Sequence, residues 1–194
     1  MVTGINSKNA TNIVIPAVYN NLPVTSLAND VFLGHSSLET VIIDEGIMSI
    51  GHYAFAYCPS LVNVSIPNSI ISIGNGAFRG CTSLTHITIP DSVTSIGDSA
   101  FESCSSLTSI ALPDGVTSIG DSTFKACSSL TSITLPDSVT SINRNAFHSC
   151  SSLANIIIPD NVASIGDEAF YICNSLTSVI IPDSVFSIGN SAFE

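Results

Sequence analysis

Residues 107–129 read LTSIALPDGVTSIGDSTFKACSS, and residues 130–152 read LTSITLPDSVTSINRNAFHSCSS. The second stretch repeats the first, with leucine, proline, phenylalanine and cysteine at the same places. The phenylalanine column extends over most of the chain at a spacing of 23 residues, through Phe32, Phe55, Phe78, Phe101, Phe124, Phe147, Phe170 and Phe193. A fixed period of this length is typical of a repeat protein, in which each unit buries its apolar residues against its neighbours.

Each unit contains two segments that predict short strands. The first has the pattern LxxIxIP, as in Leu84, Ile87 and Ile89, and its β-branched residues are expected to face the core. A Pro-Asp pair then predicts a turn, because proline fixes φ and ends the hydrogen bonding. The second segment, VxxI, contains Val93 and Ile96 in the same unit. Strands in adjacent turns are expected ~4.8 Å apart, so about eight turns would stack to roughly 35–40 Å.

Two further positions of the unit carry backbone predictions. Glycine follows the second segment in most units, and Asn143 takes its place in one; the glycines are Gly51, Gly74, Gly97, Gly120, Gly166 and Gly189. Because glycine and asparagine tolerate the left-handed region best, this column predicts a positive φ. The Ala-Phe pair and the cysteine that follow are predicted to form a short helical turn leading back to the next leucine.

The repeat predicts three regions along the chain. Residues 1–12 are polar and form an N-terminal lead-in, and residues 13–37 form an irregular capping repeat. The extra residues of that repeat lie within 17–23, which predicts a hairpin or loop. Residues 38–194 are leucine-rich repeats, of which the last is incomplete.

The incomplete last unit predicts an uncovered end. Val185, Ile188 and Phe193 have no following unit in this chain to cover them. Uncovered sheet edges recruit partners, and solenoids need capped ends for solubility. We therefore expect either a longer array or end-to-end self-association through residues 176–194.

Composition argues against several classes of partner. A net charge of −11 with only four basic residues argues against nucleic acid, whose binding depends on Lys and Arg, and against an anionic membrane surface. Membrane insertion is not expected, since no apolar run approaches the ~18 residues of a membrane helix. The start MVTGINSKNATNIVIP lacks the basic and apolar regions of a signal peptide. The chain is therefore expected to be cytoplasmic, or to have its leader outside this sequence.

The pattern LxxIxIPxxVxxIGxxAFxxCxxL resembles the leucine-rich repeats of the BspA-like, or treponemal, class, over residues 13–194. The resemblance implies a leucine-rich-repeat solenoid, α/β to mostly β. It would be a right-handed stack of about eight turns with a parallel sheet on one face. It also implies an extracellular or cell-surface protein of bacteria or of parasitic or commensal protists, with adhesion to host matrix or cells as its role. The resemblance carries no catalytic residues.

The regular polar columns do not predict catalysis or a cofactor. Six cysteines, one per unit, are expected to be buried structural thiols. Fifteen equivalent serines predict repeated hydrogen bonds from side chain to backbone rather than a nucleophile, which would need one singular serine beside a base. The serine columns are Ser26, Ser49, Ser72, Ser95, Ser118, Ser141, Ser164 and Ser187, and Ser37, Ser60, Ser83, Ser106, Ser129, Ser152 and Ser175. The histidines, His35, His52, His86 and His148, occupy different places in the unit.

Aspartates form two further columns, Asp91, Asp114, Asp137, Asp160 and Asp183, and Asp98 and Asp121. Calcium takes six to eight oxygen ligands, which a single file of turn aspartates does not supply. No specific metal site is predicted, and weak, nonspecific cation binding is the most that we expect.

The candidate binding face is the outer side of the first predicted strands. Its side chains are mostly small, uncharged and hydrogen-bonding, and they lack the Tyr, Trp and Arg anchors that usually dominate binding energy. The candidate residues are Asn63, Ser65, Thr85, His86, Thr88, Thr108, Ser109, Thr131, Ser132, Thr134, Asn155, Ile157, Thr177, Ser178 and Ile180.

The leading hypothesis is a non-enzymatic binding or adhesion module that presents this face to a protein or glycan ligand. The alternative is a structural spacer within a larger protein, whose activity lies elsewhere. A third hypothesis, an ice- or mineral-binding array, follows from regular hydroxyl groups on a flat sheet.

Overall fold

The apolar columns form one continuous core in the computed structural model, which describes residues 9–194. Eight phenylalanine rings, from Phe32 to Phe193, stack one above another with centroids 5.1 to 5.6 Å apart. The leucine column from Leu38 to Leu153 lies beside them and is fully buried. One ring per turn therefore marks the solenoid that the 23-residue period predicts.

Short strands alternate along this core. Within the described residues they are β1 (Asn12–Ile15), β2 (Val18–Tyr19), β3 (Leu22–Pro23), β4 (Thr40–Ile43), β5 (Ser49–Ile50), β6 (Asn63–Ser65), β7 (Ser72–Ile73), β8 (Ser95–Ile96), β9 (Ser109–Ala111), β10 (Ser118–Ile119), β11 (Ser132–Thr134), β12 (Ser141–Ile142), β13 (Ser164–Ile165) and β14 (Ser187–Ile188). The first strands of the units are β1, β4, β6, β9 and β11, and the second strands are the Ser-Ile pairs.

Equivalent strands of neighbouring turns pair in parallel and in register. On the first-strand side, β1 pairs β4, β4 pairs β6, and β9 pairs β11; His86 bridges Ser109 in the turn between. The second strands pair as β5-β7-β8 and as β10-β12-β13-β14. Each second-strand pairing aligns residues 23 apart, such as Ser49 with Ser72. The second strand is therefore confirmed in every unit from Ser49 onward, whereas the first strand is confirmed only in the units of β1, β4, β6, β9 and β11; residues 153–158 and 176–181 form no regular strand.

The irregular first repeat contains a β-hairpin. β2 and β3 are antiparallel, and the two residues between them, Asn20 and Asn21, have φ of 52° and 61°. Asparagine is favoured at both positions of such a two-residue turn, because it tolerates positive φ. The hairpin side chains Val18, Tyr19 and Leu22 are exposed, so the hairpin projects from the solenoid. The predicted lead-in falls mostly on residues outside the described range and stays a prediction.

The prediction of positive φ in the glycine column is wrong. The described glycines with positive φ are Gly34, Gly46, Gly76 and Gly80, none of which belongs to that column. At Gly51, Gly74, Gly97, Gly166 and Gly189 the backbone of the previous turn comes within 3 Å of the place where a Cβ would lie, whereas at Gly120 the nearest atom is Asp98 Oδ1. A Cβ on Gly97 would lie 2.5 Å from the backbone nitrogen of Asn75.

Positive φ occurs instead two residues after each column position, for example at Ser99 with φ 56° and at Ser122 with φ 56°.

The predicted helical turn at the Ala-Phe pair is also wrong, since residues 97–104 form consecutive β-turns. Within them Glu102 N–H donates to Ser99 O and Cys104 N–H to Phe101 O, each across three residues. The alternate amides leave the segment: Phe101 N–H donates to Thr123 O of the next turn at 2.9 Å. The backbone bonds therefore link turns to one another, where a helix would keep them local.

Candidate binding face

The first-strand face is on the surface, as the alternation along the strands predicts. All fifteen candidate residues are exposed: Asn63, Ser65, Thr85, His86, Thr88, Thr108, Ser109, Thr131, Ser132, Thr134, Asn155, Ile157, Thr177, Ser178 and Ile180. The residues between them point inward, as Ile110 and Ile133 do with 5% and 8% exposure. The period-two pattern of a strand thus separates the core from this face.

Strand register aligns the face into files that run along the solenoid. Asn63 is paired with Thr40 of the preceding turn, and Ser65 with Ile42. Thr40 and Ile42 were not among the predicted binding residues, although each lies one 23-residue period before a candidate residue. Extending the two files by one unit toward the N-terminus would have found them.

The threonine file has a structural role. Thr108 Oγ1 donates to Thr85 O at 3.2 Å, and Thr131 Oγ1 donates to Thr108 O at 3.1 Å. Each hydroxyl therefore bonds the backbone of the turn before it, beside the matching amide bonds. These threonines join neighbouring turns at the margin of the face and have less freedom to bind a ligand than the serine and asparagine file beside them.

A shallow groove of about 350 Å³ crosses the face. It is lined by three successive turns: Thr40 and Ile42 of β4, Asn63 and Ser65 of β6, and His86 and Thr88 of the next turn. His86 Nδ1 lies 3.1 Å from Thr85 Oγ1, which orients the imidazole ring. The groove offers amide, hydroxyl and imidazole groups at one place, a combination suited to hydrogen bonding with a polar ligand.

The third file of the face becomes apolar toward both ends. Ile157 and Ile180 are 85% and 86% exposed, while Val14 and Ile42 are 57% and 43% exposed. Serine, threonine and alanine occupy the turns between them. Fully exposed isoleucines are costly in water, so the C-terminal part of this file is the most apolar surface of the face.

The six cysteines are buried free thiols, which confirms their predicted structural role. Each Sγ lies against the carbonyl oxygen of the phenylalanine in the preceding turn, as Cys127 does with Phe101 O at 3.1 Å. Burial raises the pKa of the Cys127 thiol to about 12 and that of the Cys58 thiol to about 11. A neutral, buried thiol is a poor nucleophile, so these groups are not reactive sites.

The other polar columns mainly satisfy the backbone. Bonds from serine hydroxyl to backbone are present, but at a different serine position from the two predicted columns. Ser69, Ser92, Ser138 and Ser184 donate to carbonyl groups one turn earlier, at 2.6 to 2.8 Å.

Asp98 and Asp121 belong to a similar ladder. Asp121 N–H donates to Asp98 Oδ1 at 2.8 Å, and Arg144 N–H donates to Asp121 Oδ1 at 3.2 Å. These carboxylates therefore have a structural role. From the sequence, weak cation binding was the only role expected of them. Within residues 9–194, no three His, Cys, Asp or Glu side chains are grouped in a way that could hold a metal ion.

The C-terminal end of the stack exposes core positions. Ile188 is 50% exposed, where its equivalents Ile142 and Ile165 are 1% exposed, and Phe193 is 41% exposed. A groove of about 450 Å³ lies at this end and is lined by Phe170, Phe193 and residues of the segment 173–181. In the part of the chain that the structure describes, no helix is long and apolar enough to cross a membrane.

Comparison with known proteins identifies the repeat. A family model described as the BspA type leucine rich repeat region matches six copies within residues 5–131 and 71–194. The phenylalanine column has eight members, so the six copies matched by the family model account for most of the turns. A search of curated proteins found no match.

Several solved structures are similar to the chain. A leucine rich repeat protein of T. pallidum is 31% identical, with a TM-score of 0.81, over 89% of this chain and 80% of that one. A leucine rich cell surface protein of Faecalibacterium prausnitzii is 38% identical, with a TM-score of 0.83, over 91% of this chain and 48% of its own. A leucine-rich repeat protein of Bacteroides ovatus is 30% identical, with a TM-score of 0.72, over 96% of this chain and 56% of its own. The chain thus spans about half of the two longer relatives.

Proposed function

The chain belongs to the BspA-type leucine rich repeat family, whose repeats form interaction scaffolds, and we propose that it is a non-enzymatic binding or adhesion module. The proposed contact surface is the first-strand face, and the proposed ligand is a protein or a glycan. The observation that carries this proposal is that all fifteen candidate residues are exposed, at equivalent places of successive turns. Most repeat proteins of this kind bind through such an extended surface.

The groove at the second to fourth turns is the proposed centre of the face. Asn63, Ser65, His86 and Thr88 line it, and their exposed amide, hydroxyl and imidazole groups can donate and accept hydrogen bonds. Polar groups that bind a ligand fix its orientation, while the apolar surface at Ile157 and Ile180 adds area that a ligand can remove from water. A ligand that follows the files would therefore contact polar groups first and apolar groups toward the C-terminus.

The test compares two arginine substitutions within one turn. Thr88→Arg places a long cation in the groove. Thr94→Arg places the same side chain directly before strand β8, away from the first-strand face. Both threonines are exposed. Binding to immobilised matrix proteins and to a glycan array is measured for both variants and the parent chain. We expect Thr88→Arg to lose a ligand that Thr94→Arg retains. Equal binding by all three would contradict the assignment of this face.

We propose a cell-surface or secreted location for the protein. This rests on the relative from Faecalibacterium prausnitzii, which is described as a cell surface protein. Protease treatment of intact cells, followed by detection of the chain, tests the location. Protection from the protease in intact cells, with digestion after lysis, would contradict it.

A structural spacer is the second candidate function. It is favoured by the small, uncharged side chains that fill the middle of the face, such as Ser109, Ser132 and Thr134. A spacer would bind nothing on the arrays, and neither arginine substitution would have an effect. The binding experiment therefore distinguishes the two candidates.

We further propose that the C-terminal end pairs with a second copy through residues 176–194. Ile188 and Phe193 would be covered by this contact, and the net charge of −11 would oppose it. Sedimentation should therefore show more association at high salt. Ile181→Lys, which charges the end, should abolish it, while Ile157→Lys on the binding face should not. A strict monomer at high concentration and high salt would contradict the pairing.

A further inference from the structure

Two tyrosines on the turn side of the solenoid occupy positions of left-handed backbone. Tyr53 has φ 51° and Tyr57 has φ 56°. The equivalent positions of other turns are mostly small or polar, such as Ser99 and Ser103. Positive φ recurs at these two places in the other turns and therefore belongs to the repeat; what sets this turn apart is that aromatic side chains stand there.

The next turn makes room for both rings. Gly76 follows Tyr53 by one period, and Gly80 follows Tyr57 by one period. A Cβ on Gly80 would lie 2.7 Å from Cδ1 of Tyr57, and one on Gly76 would overlap the ring of Tyr53. Two tyrosines and two glycines thus form matched pairs that are absent from the regular units near residues 107–152.

The surroundings of the rings are exposed and carry hydrogen-bonding groups. Tyr53, Tyr57 and Leu33 are 37%, 51% and 49% exposed. The Arg79 guanidinium lies 5.8 Å from the centroid of the Tyr57 ring and forms an ion pair with Glu102 at 3.1 Å. Arginine has five N–H donors, so most of them remain free for another acceptor. We call Leu33, Tyr53, Tyr57 and Arg79 the tyrosine patch.

We propose that the tyrosine patch binds the apolar face of a neutral glycan. Exposed aromatic rings carry negative faces that attract the C–H groups of a sugar ring, and the guanidinium can donate to its hydroxyl groups. The few exposed side chains supply far less than the ~800 Å² that each partner contributes to a standard protein interface. The net charge of −11 repels sialylated and sulfated glycans and leaves neutral ones.

This proposal is independent of the first-strand face, because the patch lies in the turns that follow the second strands β5 and β7. A position beside Tyr57 is open for a ligand. Gly34 stands one period before Tyr57, is exposed, and has no atom within 4 Å of the place where a Cβ would lie. A sugar stacked on Tyr57 can therefore extend toward Gly34 and Leu33 without meeting a side chain from that position.

The experiment titrates the chain with neutral di- to hexasaccharides and with their sialylated or sulfated counterparts. The protein has no tryptophan, and two of its four tyrosines lie in the patch, so a change in tyrosine emission that the serine variants lose reports on the patch. Calorimetry gives the affinity for each compound. We expect at least one neutral oligosaccharide to bind and to change the tyrosine emission, and the acidic counterparts to bind at least tenfold more weakly.

Matched variants assign the binding to the patch. Tyr53→Ser and Tyr57→Ser place at these positions the residue that Ser99 and Ser103 already show there at positive φ. We expect each to reduce affinity at least tenfold without lowering the melting temperature by more than a few degrees. Tyr57→Phe should retain most of the binding, and Tyr19→Ser, in the exposed hairpin, should retain all of it.

Four results would overturn the proposal: no binding of any neutral oligosaccharide, undiminished binding by both serine variants, preference for acidic glycans, or a protein ligand that Tyr57→Ser loses while no glycan binds. If the serine variants unfold, the phenylalanine variant and the emission change decide the outcome alone. A parent chain whose tyrosine emission does not respond to any sugar would then refute the site.

Discussion

Replacing one ring of the phenylalanine stack should have an effect that depends on its place in the stack. Phe101 is fully buried between Phe78 and Phe124, with both ring centroids at 5.6 Å. Truncating a buried phenylalanine to alanine costs about 3–5 kcal/mol of unfolding free energy, and each lost ring contact adds about 0.5–1.5 kcal/mol at most. Phe193 is 41% exposed and has one stacked neighbour, Phe170. Its truncation should cost only about 1–2 kcal/mol.

Urea unfolding followed by far-ultraviolet circular dichroism measures both losses. We expect Phe101→Ala to lower the unfolding midpoint at least twice as far as Phe193→Ala. Phe186→Thr is the control, because Phe186 is 83% exposed and threonine stands at its position in other turns, as at Thr140. It should leave the midpoint unchanged. Equal losses for Phe101→Ala and Phe193→Ala would refute the argument that neighbouring turns stabilise each ring.

Two further predictions concern the glycine and cysteine columns. Gly97→Ala should destabilise the chain more than Gly34→Ala, because the new Cβ at Gly97 meets the backbone of Asn75, whereas at Gly34 the space is open and only the positive φ of 69° opposes alanine. Thermal melts that rank the two variants the other way would contradict this. Burial raises the pKa of the Cys127 thiol from 9.0 to about 12, so the unfolded chain loses this proton at a lower pH than the folded chain. The thiol contribution to stability is therefore complete below about pH 9 and is lost toward pH 12, by about 1.4 kcal/mol per pH unit at its steepest. Urea midpoints from pH 8 to 11 should fall, with a shallower fall for Cys127→Ala, and an equal slope would contradict the assignment. A thiol-reactive dye at pH 8 should label six groups only after unfolding, and labelling of the native chain would contradict their burial.

The fold was predictable because one periodicity determines the core. Leucine, phenylalanine and cysteine recur every 23 residues, and the structure buries all three columns up to the last unit, where Leu176 is partly buried and Phe193 is exposed. The 23-residue period also predicts the register of the strands, because paired residues such as Ser49 and Ser72 are one period apart. The position of the candidate face also followed from the sequence, because alternate residues of a strand point to opposite sides.

The wrong predictions concern residues whose preference for a position has two possible physical causes. Glycine permits positive φ, and it also permits close approach of another backbone. The column at Gly97 uses the second property, which depends on the preceding turn and is invisible in a single unit. The Ala-Phe segment was taken for a helical turn, whereas its amides bond the next turn. The sequence did not point to the tyrosine patch, because Tyr53 and Tyr57 stand outside the repeated columns and their glycine partners lie one period away.

The central claim is that a 23-residue turn is the interchangeable unit of this protein, and a pair of deletions tests it most directly. Removing residues 107–129 joins Ser106 to Leu130 and restores the repeat, whereas removing residues 107–128 shifts every later column by one position. Urea unfolding by circular dichroism is measured for both deletions. The first should give a folded chain with one cooperative transition at a somewhat lower midpoint, and the second should lose the transition or retain only a small part of it. Equal folding of the two deletions would contradict the account.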